Sequence, residues 1–396
     1  MATTHVLNSN PAPAATLYVA FDLGWGEWKL AFTTGVAQKP RLRSIPARDL
    51  CALELEIARA KARFHLPADT PVMSCYEAGR DGFWLHRYLL TKGIQSMIVD
   101  AASIEVNRRK RRAKTDRLDA ASLVVMLIRW HLGERKLWSI VQAPSPEAED
   151  LRQLHRELIT LKGERTEHVN RIKGLMASIG LAIAVDRRLP ERLDGLRQWD
   201  EKPLPADLRV RIVREYDRWL LVDSQIHSLE VEQIRRVRDD ATPGVERIRQ
   251  LFGLRGVGLQ GAWLLEREFF GWRSISNRRQ VASLAGLTPT PYGSGDMERE
   301  QGISKAGNKR LRWLMVELAW CWRRYQPTSD LSLWYQRRFA EGSARMRKVG
   351  IVALARKLLV ALWKYVSQGE VPEGAEDVPW RQKLSHRKRA EVSVAC

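Results

Sequence analysis

The chain has 396 residues, with 66 lysines and arginines against 46 acidic residues and a formal charge of +20. That length supplies at least one sizeable core without disulfides or a structural metal, and it suits two or three domains. The charge favours a polyanionic partner, nucleic acid before an anionic membrane, because no apolar run approaches the ~18 residues of a spanning helix.

Residues 1–16, MATTHVLNSNPAPAAT, have neither the basic start nor the apolar middle of a signal peptide, and read as a disordered tail. Cys51, Cys75, Cys321 and Cys396 form no C-x-x-C pair and have no histidine at zinc spacing. A disulfide framework and a zinc site are therefore not expected, and a reducing cytoplasm fits.

From Leu17, LYVAFDLGWGEWKLAFTTG is an apolar run ending in Asp22, a Gly-rich turn and a second apolar run: a hairpin with an acid at the end of its first strand. A helical pattern follows in DLCALELEIARAKARFHL, then the strand-like VMSCYEAG carrying Glu77. A helix around FWLHRYLL and a further strand, SMIVD, come next. A hairpin followed by alternating helix and strand predicts a mixed sheet flanked by helices. Beyond it lies RRKRRAKTDRLDAASL, in which Arg108, Arg109, Lys110, Arg111, Arg112 and Lys114 precede Asp116 and Asp119. The i, i+3 spacing puts those two acids on one helix face, about 5–6 Å apart at Cβ.

After Ser145-Pro146, Leu151, Leu154, Leu158, Leu161, Ile172, Leu175 and Ile179 keep a heptad-like spacing, broken midway by Arg165 and His168. This predicts a long helix of coiled-coil type. A second long helix carries Leu208, Ile212, Trp219, Val222, Ile226 and Leu229 on one stripe, and the pair suits an antiparallel hairpin or a dimer arm, the hairpin being the default. IRQLFGLRGVGLQGAWLLERE then reads as two helices separated by Gly253, Gly256 and Gly258. Such a turn suits phosphate-holding backbone amides or a plain helix-turn-helix packing unit. LAGLTPTPYGSGDMEREQGISKAGNKRLR reads as a Gly-, Pro- and Ser-rich loop leading into a basic amphipathic helix. Trp313, Trp320 and Trp322 lie among arginines there, which suits core packing or base stacking. A last helix, IVALARKLLVALWKYV, precedes a polar segment from Ser367 that reads as disordered.

Singly, each acid has an ordinary explanation: Asp22 as a turn residue, Glu77 as a surface strand end, Asp116 as a helix cap. Their order, two strand-end acids and then a helical pair beside a basic run, fits a metal site held against a polyanion.

AFDLG with Asp22, YEAG with Glu77 and AKTDRLDA with Asp116 and Asp119 resemble the DEDD-type transposases of the bacterial insertion-sequence family one-ten. The amino-terminal domain of that family is similar to the Holliday-junction resolvase RuvC. LRGVG followed by GLTPTPYGSGDMEREQGISKAGNKRLR resembles the family's second domain, so the likeness covers most of residues 17–335. It implies a tail at 1–16, an α/β RuvC-like (RNase H-like) mixed-sheet domain at 17–145 and a long-helix coiled-coil region at 146–245. A mainly α-helical, serine-bearing domain at 246–366 and a disordered tail at 367–396 complete it. It implies a DNA recombinase that uses two Mg2+ ions on the tetrad Asp22, Glu77, Asp116 and Asp119 and a nucleophile at Ser294, with Ser304 as competitor. A structured noncoding guide RNA would pair with donor and target DNA. A homo-oligomer, dimer or tetramer, associated with the bacterial nucleoid is also implied. Lys305, Lys309, Arg310 and Arg312, with the run Arg108–Lys114, would hold nucleic acid, and Lys305, Asn308 and Arg310 are candidates to activate the serine. Two other classes compete: a RuvC-like nuclease that hydrolyses junctions, and a non-catalytic nucleic-acid-binding scaffold.

Overall fold

β1 (Leu17–Leu23) and β2 (Glu27–Thr33) pair as the expected antiparallel hairpin, and a third strand, β3 (Arg41–Pro46), extends it. The computed structural model describes residues 15–80, 82–104, 120–294 and 297–385; the run Arg108–Lys114, Asp116 and Asp119 lie outside the described residues. The chain divides into two compact units, residues 1–144 and 145–396.

In the first unit, β4 (Val72–Glu77) and β5 (Gln95–Val99) add parallel to β1, giving the strand order β3-β2-β1-β4-β5. Strand alternation divides the side chains between two faces. Leu17, Val19, Phe21, Val72 and Tyr76 pack beneath α1 (Leu50–Arg63) and α2 (Trp84–Thr91). Tyr18, Ala20, Met73 and Cys75 pack against α3 (Ala120–His131). Asp49 starts α1, its carboxylate accepting from the Ala52 amide at 2.9 Å. The sequence pattern missed β3 because only Ile45 of it is buried. Backbone pairing with β2 holds the strand, and Arg41 and Arg43 each donate to Glu56 Oε2 of α1 at 3.0 Å, tying it to the helix.

The second unit begins with α4 (Pro146–Asp150) and α5 (Gln153–Ala177); α6 (Leu189–Leu193) lies in the connection to α7 (Ala206–Asp239). α5 and α7 pack as an antiparallel hairpin within the chain. Leu158 and Leu161 meet Val222 and Ile226, and Ile172 and Met176 meet Ile212, Tyr216 and Trp219. The two residues that interrupt the α5 seam are both paired across the hairpin. His168 Nδ1 lies 2.7 Å from Glu215 Oε2, and Arg165 donates to Asp223 at 3.2 Å. Burial alone would raise the Glu215 carboxyl, but the His168 hydrogen bond and the nearby Arg218 and Arg171 hold it below its ordinary value.

α8 (Pro243–Gly253), α9 (Leu259–Leu265), α10 (Arg278–Leu284), α11 (Lys309–Tyr325), α12 (Asp330–Phe339) and α13 (Ala344–Gln368) enclose the largest core, around Trp263, Phe269, Trp322 and Leu358. Among the described residues no helix is long and apolar enough to cross a membrane. The region read as a loop contains a hairpin, β6 (Pro289–Ser294) with β7 (Met297–Ile303), formed by backbone pairing. The segment from Ser367, expected to be disordered, is folded through residue 385. Asp377 bridges to Leu254, Gln326 bonds both the amide and the carbonyl of Glu376, and Leu384 is buried. Lys383 donates to the carbonyls of Phe252 (2.5 Å), Leu254 (3.0 Å) and Val257 (3.0 Å), and burial pulls its ammonium down to about 8. The 253–258 turn is thus closed over by this segment. A Cβ on Gly253 would lie 2.3 Å from Asp377 Oδ1, so packing rather than phosphate holding accounts for that glycine.

A π-helical turn, Glu266–Phe270, continues α9 and buries two carboxylates. Glu268 receives Arg156 at 2.6 and 3.0 Å and lies 3.0 Å from His155 Nε2. Burial opposes ionisation, but His155 and Arg156 outweigh it and hold the carboxyl well below the usual carboxylate range. A depressed acid contributes stability above its unfolded value near ~4.3, and that contribution fades as pH falls through the folded value. Glu268→Gln should therefore cost about 3 kcal/mol at pH 7, roughly 6–12 °C in Tm for a unit of this size. Its deficit should shrink as the pH falls from about 5 to 3. Thermal melts of both proteins across pH 3–7 check this, and a deficit independent of pH would exclude the ionic origin.

Candidate active site

Asp22 closes β1 and Glu77 closes β4, two parallel neighbours in which Phe21 is in register with Tyr76. The two acids are therefore adjacent across the strands. Alternation assigns them a common face, because Phe21 and Tyr76 join the core under α1 and α2 while Ala20 and Cys75 join the core under α3. Both acids are half-buried, and both line one cavity of about 260 Å³ whose walls include Leu23, Arg80 and, from α3, Leu123. Lys29 is the cross-strand partner of Asp22 on β2 and is exposed.

Cys75 lies two residues before Glu77 and is fully buried, with its thiol 3.8 Å from the Leu123 carbonyl. Burial, and then the Glu77 charge, push that thiol up. Among the described residues lining the cavity, the side chains able to bind a cation are the carboxylates of Asp22 and Glu77. Among the described residues no group of three or more His, Cys, Asp and Glu is placed to hold a metal. Asp22 and Glu77 are the two candidate acids that lie within the described residues, and they fit one half of a carboxylate site for a hard cation.

The serine region lies in the second unit. Ser294 ends β6 with its backbone opposite Met297; its side chain, with Gly295 and Asp296, falls outside the described residues. Ser304 is bound into the base of the hairpin: its amide donates to the Thr288 carbonyl at 2.9 Å, and its hydroxyl oxygen accepts from Thr288 at 3.3 Å. Asn308 caps α11, accepting from the amides of Arg310 and Leu311. That is a structural use of an oxygen that sequence reading offered as an activator. Arg312 donates to the carbonyls of Ala285 (3.3 Å) and Ala306 (3.5 Å), so its guanidinium braces the turn before the helix rather than standing clear of it. Lys305 is exposed in a left-handed backbone conformation (φ 57°), and Lys309 and Arg310 are exposed at the start of α11. The three tryptophans divide: Trp322 is buried and donates to Ser329 Oγ at 2.9 Å, whereas Trp313 and Trp320 are exposed on one face of α11, two turns apart.

Sequence reading missed one residue of this cavity and one that contacts it. Arg80 lines the cavity three residues after Glu77, and Trp25 stands at the tip of the β1–β2 turn, three residues after Asp22. A tryptophan between two glycines, where a turn ordinarily carries small polar residues, was the available signal.

Comparison with known proteins gives matches over both units. Residues 248–332 match the transposases described as the IS116/IS110/IS902 family, and residues 48–180 match a DEDD-type transposase of the IS110 group. The first range contains Ser294, and the second contains Glu77, Asp116 and Asp119. The chain is 41% identical over 379 residues to a putative transposase, y4rJ, of Sinorhizobium fredii, covering 91% of this chain and 94% of that protein. It is 26% identical to the transposase for insertion sequence element IS1328 of Yersinia enterocolitica, over 57% of this chain and 66% of that one. For the transposase of element IS1111A of Coxiella burnetii the identity is 27%, over 65% of this chain and 68% of that one.

Proposed function

Since this chain belongs to the IS116/IS110/IS902 family of transposases, we propose that it is an RNA-guided DNA recombinase of an insertion sequence. It cuts and rejoins strands with a metal-binding tetrad, Asp22, Glu77, Asp116 and Asp119, and a serine nucleophile, Ser294. The observation that carries the reading is the placement of Asp22 and Glu77: adjacent strand ends, one face, one cavity. Two features support completing the set with Asp116 and Asp119. The described part of α3 begins at Ala120, the residue after Asp119 in the sequence, and Leu123 of that helix lines the same cavity. A mixed sheet with its acids at parallel strand ends also supports the RuvC-like reading of residues 17–145.

The donor set favours magnesium over a softer ion, because Asp22 and Glu77 line the cavity and Cys75 is not among its lining residues. Two magnesium ions on these acids would supply charge stabilisation at the phosphodiester being exchanged. Arg80 at the cavity wall and Lys29 beside Asp22 orient the phosphate. The formal charge of +20 supports polyanionic partners, and the family resemblance supplies the guide RNA, the homo-oligomer and a bacterial nucleoid location.

The test is an assay of the protein, with the RNA that copurifies with it, on DNA carrying the element's ends, with Mg2+ or EDTA. We expect magnesium-dependent cleavage, DNA that stays on the protein through a denaturing gel, rejoined product, and loss of all three after ribonuclease treatment. Free ends without a protein adduct would indicate a hydrolytic nuclease. DNA binding without cleavage would indicate a scaffold.

A further inference from the structure

Trp25 is 68% exposed at the tip of the β1–β2 hairpin, and two guanidiniums from distant segments reach its ring. Arg48, between β3 and α1, lies 4.8 Å from the ring centroid; Arg80, after β4, lies 4.6 Å from it. The placement is built at the backbone level. Gly24 allows the tight turn, since a Cβ there would come within 2.4 Å of the Glu27 carbonyl. Arg48 adopts a left-handed conformation (φ 69°) and donates to the Trp25 carbonyl at 3.3 Å. A single exposed tryptophan is unremarkable on a surface. Three loops converging on one, with Arg80 shared between the indole and the cavity that holds Asp22 and Glu77, is a constructed feature.

We infer that Trp25, Arg48 and Arg80 form a stacking clamp for one unpaired nucleobase of the DNA strand, adjacent to the phosphate at the acidic cavity. An indole face stacks on any base and is tolerant of sequence, and arginine planes add cation–π attraction and phosphate contacts. Three residues of extended chain place Trp25 within about 10 Å of Asp22, the reach of a nucleotide next to the reacting phosphate or one further on. Only an unpaired base offers a free face, so the clamp selects strand junctions, gaps and extruded bases over continuous duplex. The inference rests on the proposed reading of Asp22 and Glu77 as the phosphate site.

The test measures binding of the full chain to gapped duplexes in which an abasic site is moved across the gap, at fixed salt, by fluorescence anisotropy. Trp25→Ala should weaken binding to the intact gap by about 5- to 150-fold, and Trp25→Phe should retain most of the affinity. One abasic position should weaken the wild type to a similar degree and leave Trp25→Ala unaffected, which locates the base on the ring. Equal affinity of Trp25→Ala and wild type for gapped DNA would overturn the inference. So would a loss of the same size on continuous duplex and on every abasic substrate, which marks a general effect on the fold. Failure of the catalytic reading is separable: it appears as wild type that binds gapped DNA through Trp25 but cuts no DNA with Mg2+.

Discussion

Asp22→Asn and Glu77→Gln are each expected to reduce magnesium-dependent strand cleavage by at least ~10²–10³-fold, the scale of losing one preorganised charge-stabilising group at a reacting centre. Thermal stability should hardly change. Both side chains are half-buried in the lining of a cavity, outside the apolar clusters that carry the sheet, and each replacement keeps the shape while removing the charge. Asp116→Asn and Asp119→Asn should behave in the same way if the four acids act as one site. Because groups that act together are strongly non-additive, an Asp22→Asn, Glu77→Gln double variant should be little worse than either alone. Activity is read as cleavage against magnesium concentration, with nucleic-acid affinity measured in parallel. Raising magnesium should rescue the variants partially and shift the midpoint upward, which a merely structural defect does not do. Full cleavage by Asp22→Asn at ordinary magnesium would remove that residue from the site.

Asp22 and Glu77 stand out in the sequence because each closes an apolar strand two residues before a glycine, a local pattern of fewer than ten residues, although only the order of the acids and the family resemblance group them with Asp116 and Asp119. The same locality explains what was missed. β3 is held by backbone pairing with β2 and tied to α1 by Arg41 and Arg43 on Glu56, so its sequence, RLRSIP, carries no apolar alternation to read. The hairpin at Pro289–Ile303 is rich in glycine, proline and polar residues, and its pairing is a property of the backbone. The segment from Ser367 looked disordered by composition, yet a few contacts fix it: Gln326 bonding the peptide of Glu376, and one lysine on three carbonyls. No periodicity announces either. The Trp25 cluster spans Trp25 to Arg80, and only the fold brings its members together. The seam of α5 and α7, by contrast, was visible as a stripe, and even its polar interruptions turned out to be partners across the hairpin.

Ser294→Ala should abolish both recombination and any covalent protein–DNA adduct, while Ser304→Ala should still form the adduct, in lower yield. The chemistry separates the two outcomes. When a serine oxygen attacks the scissile phosphate, an Oγ–P bond forms, the P–O bond to one sugar breaks, and that sugar oxygen takes up a proton. The phosphodiester energy is retained in the phosphoserine ester, so the reverse attack by a sugar hydroxyl reseals a strand without an outside energy source. Hydrolysis passes it to water instead. Ser304 is poorly suited to the role: its hydroxyl oxygen already accepts from Thr288, and its amide holds the base of the β6–β7 hairpin. Losing that hydroxyl should loosen the hairpin and reduce yield rather than eliminate attack. Ser294 ends β6, its backbone in register with Met297, and stands between Gly293 and Gly295 in the sequence. Peptide mapping of the adduct trapped on a nicked substrate identifies the bonded residue directly. DNA found on Ser304, or normal recombination by the Ser294→Ala protein, would reassign the nucleophile; an adduct on neither serine, with cleavage intact, would place the whole reaction on the acids.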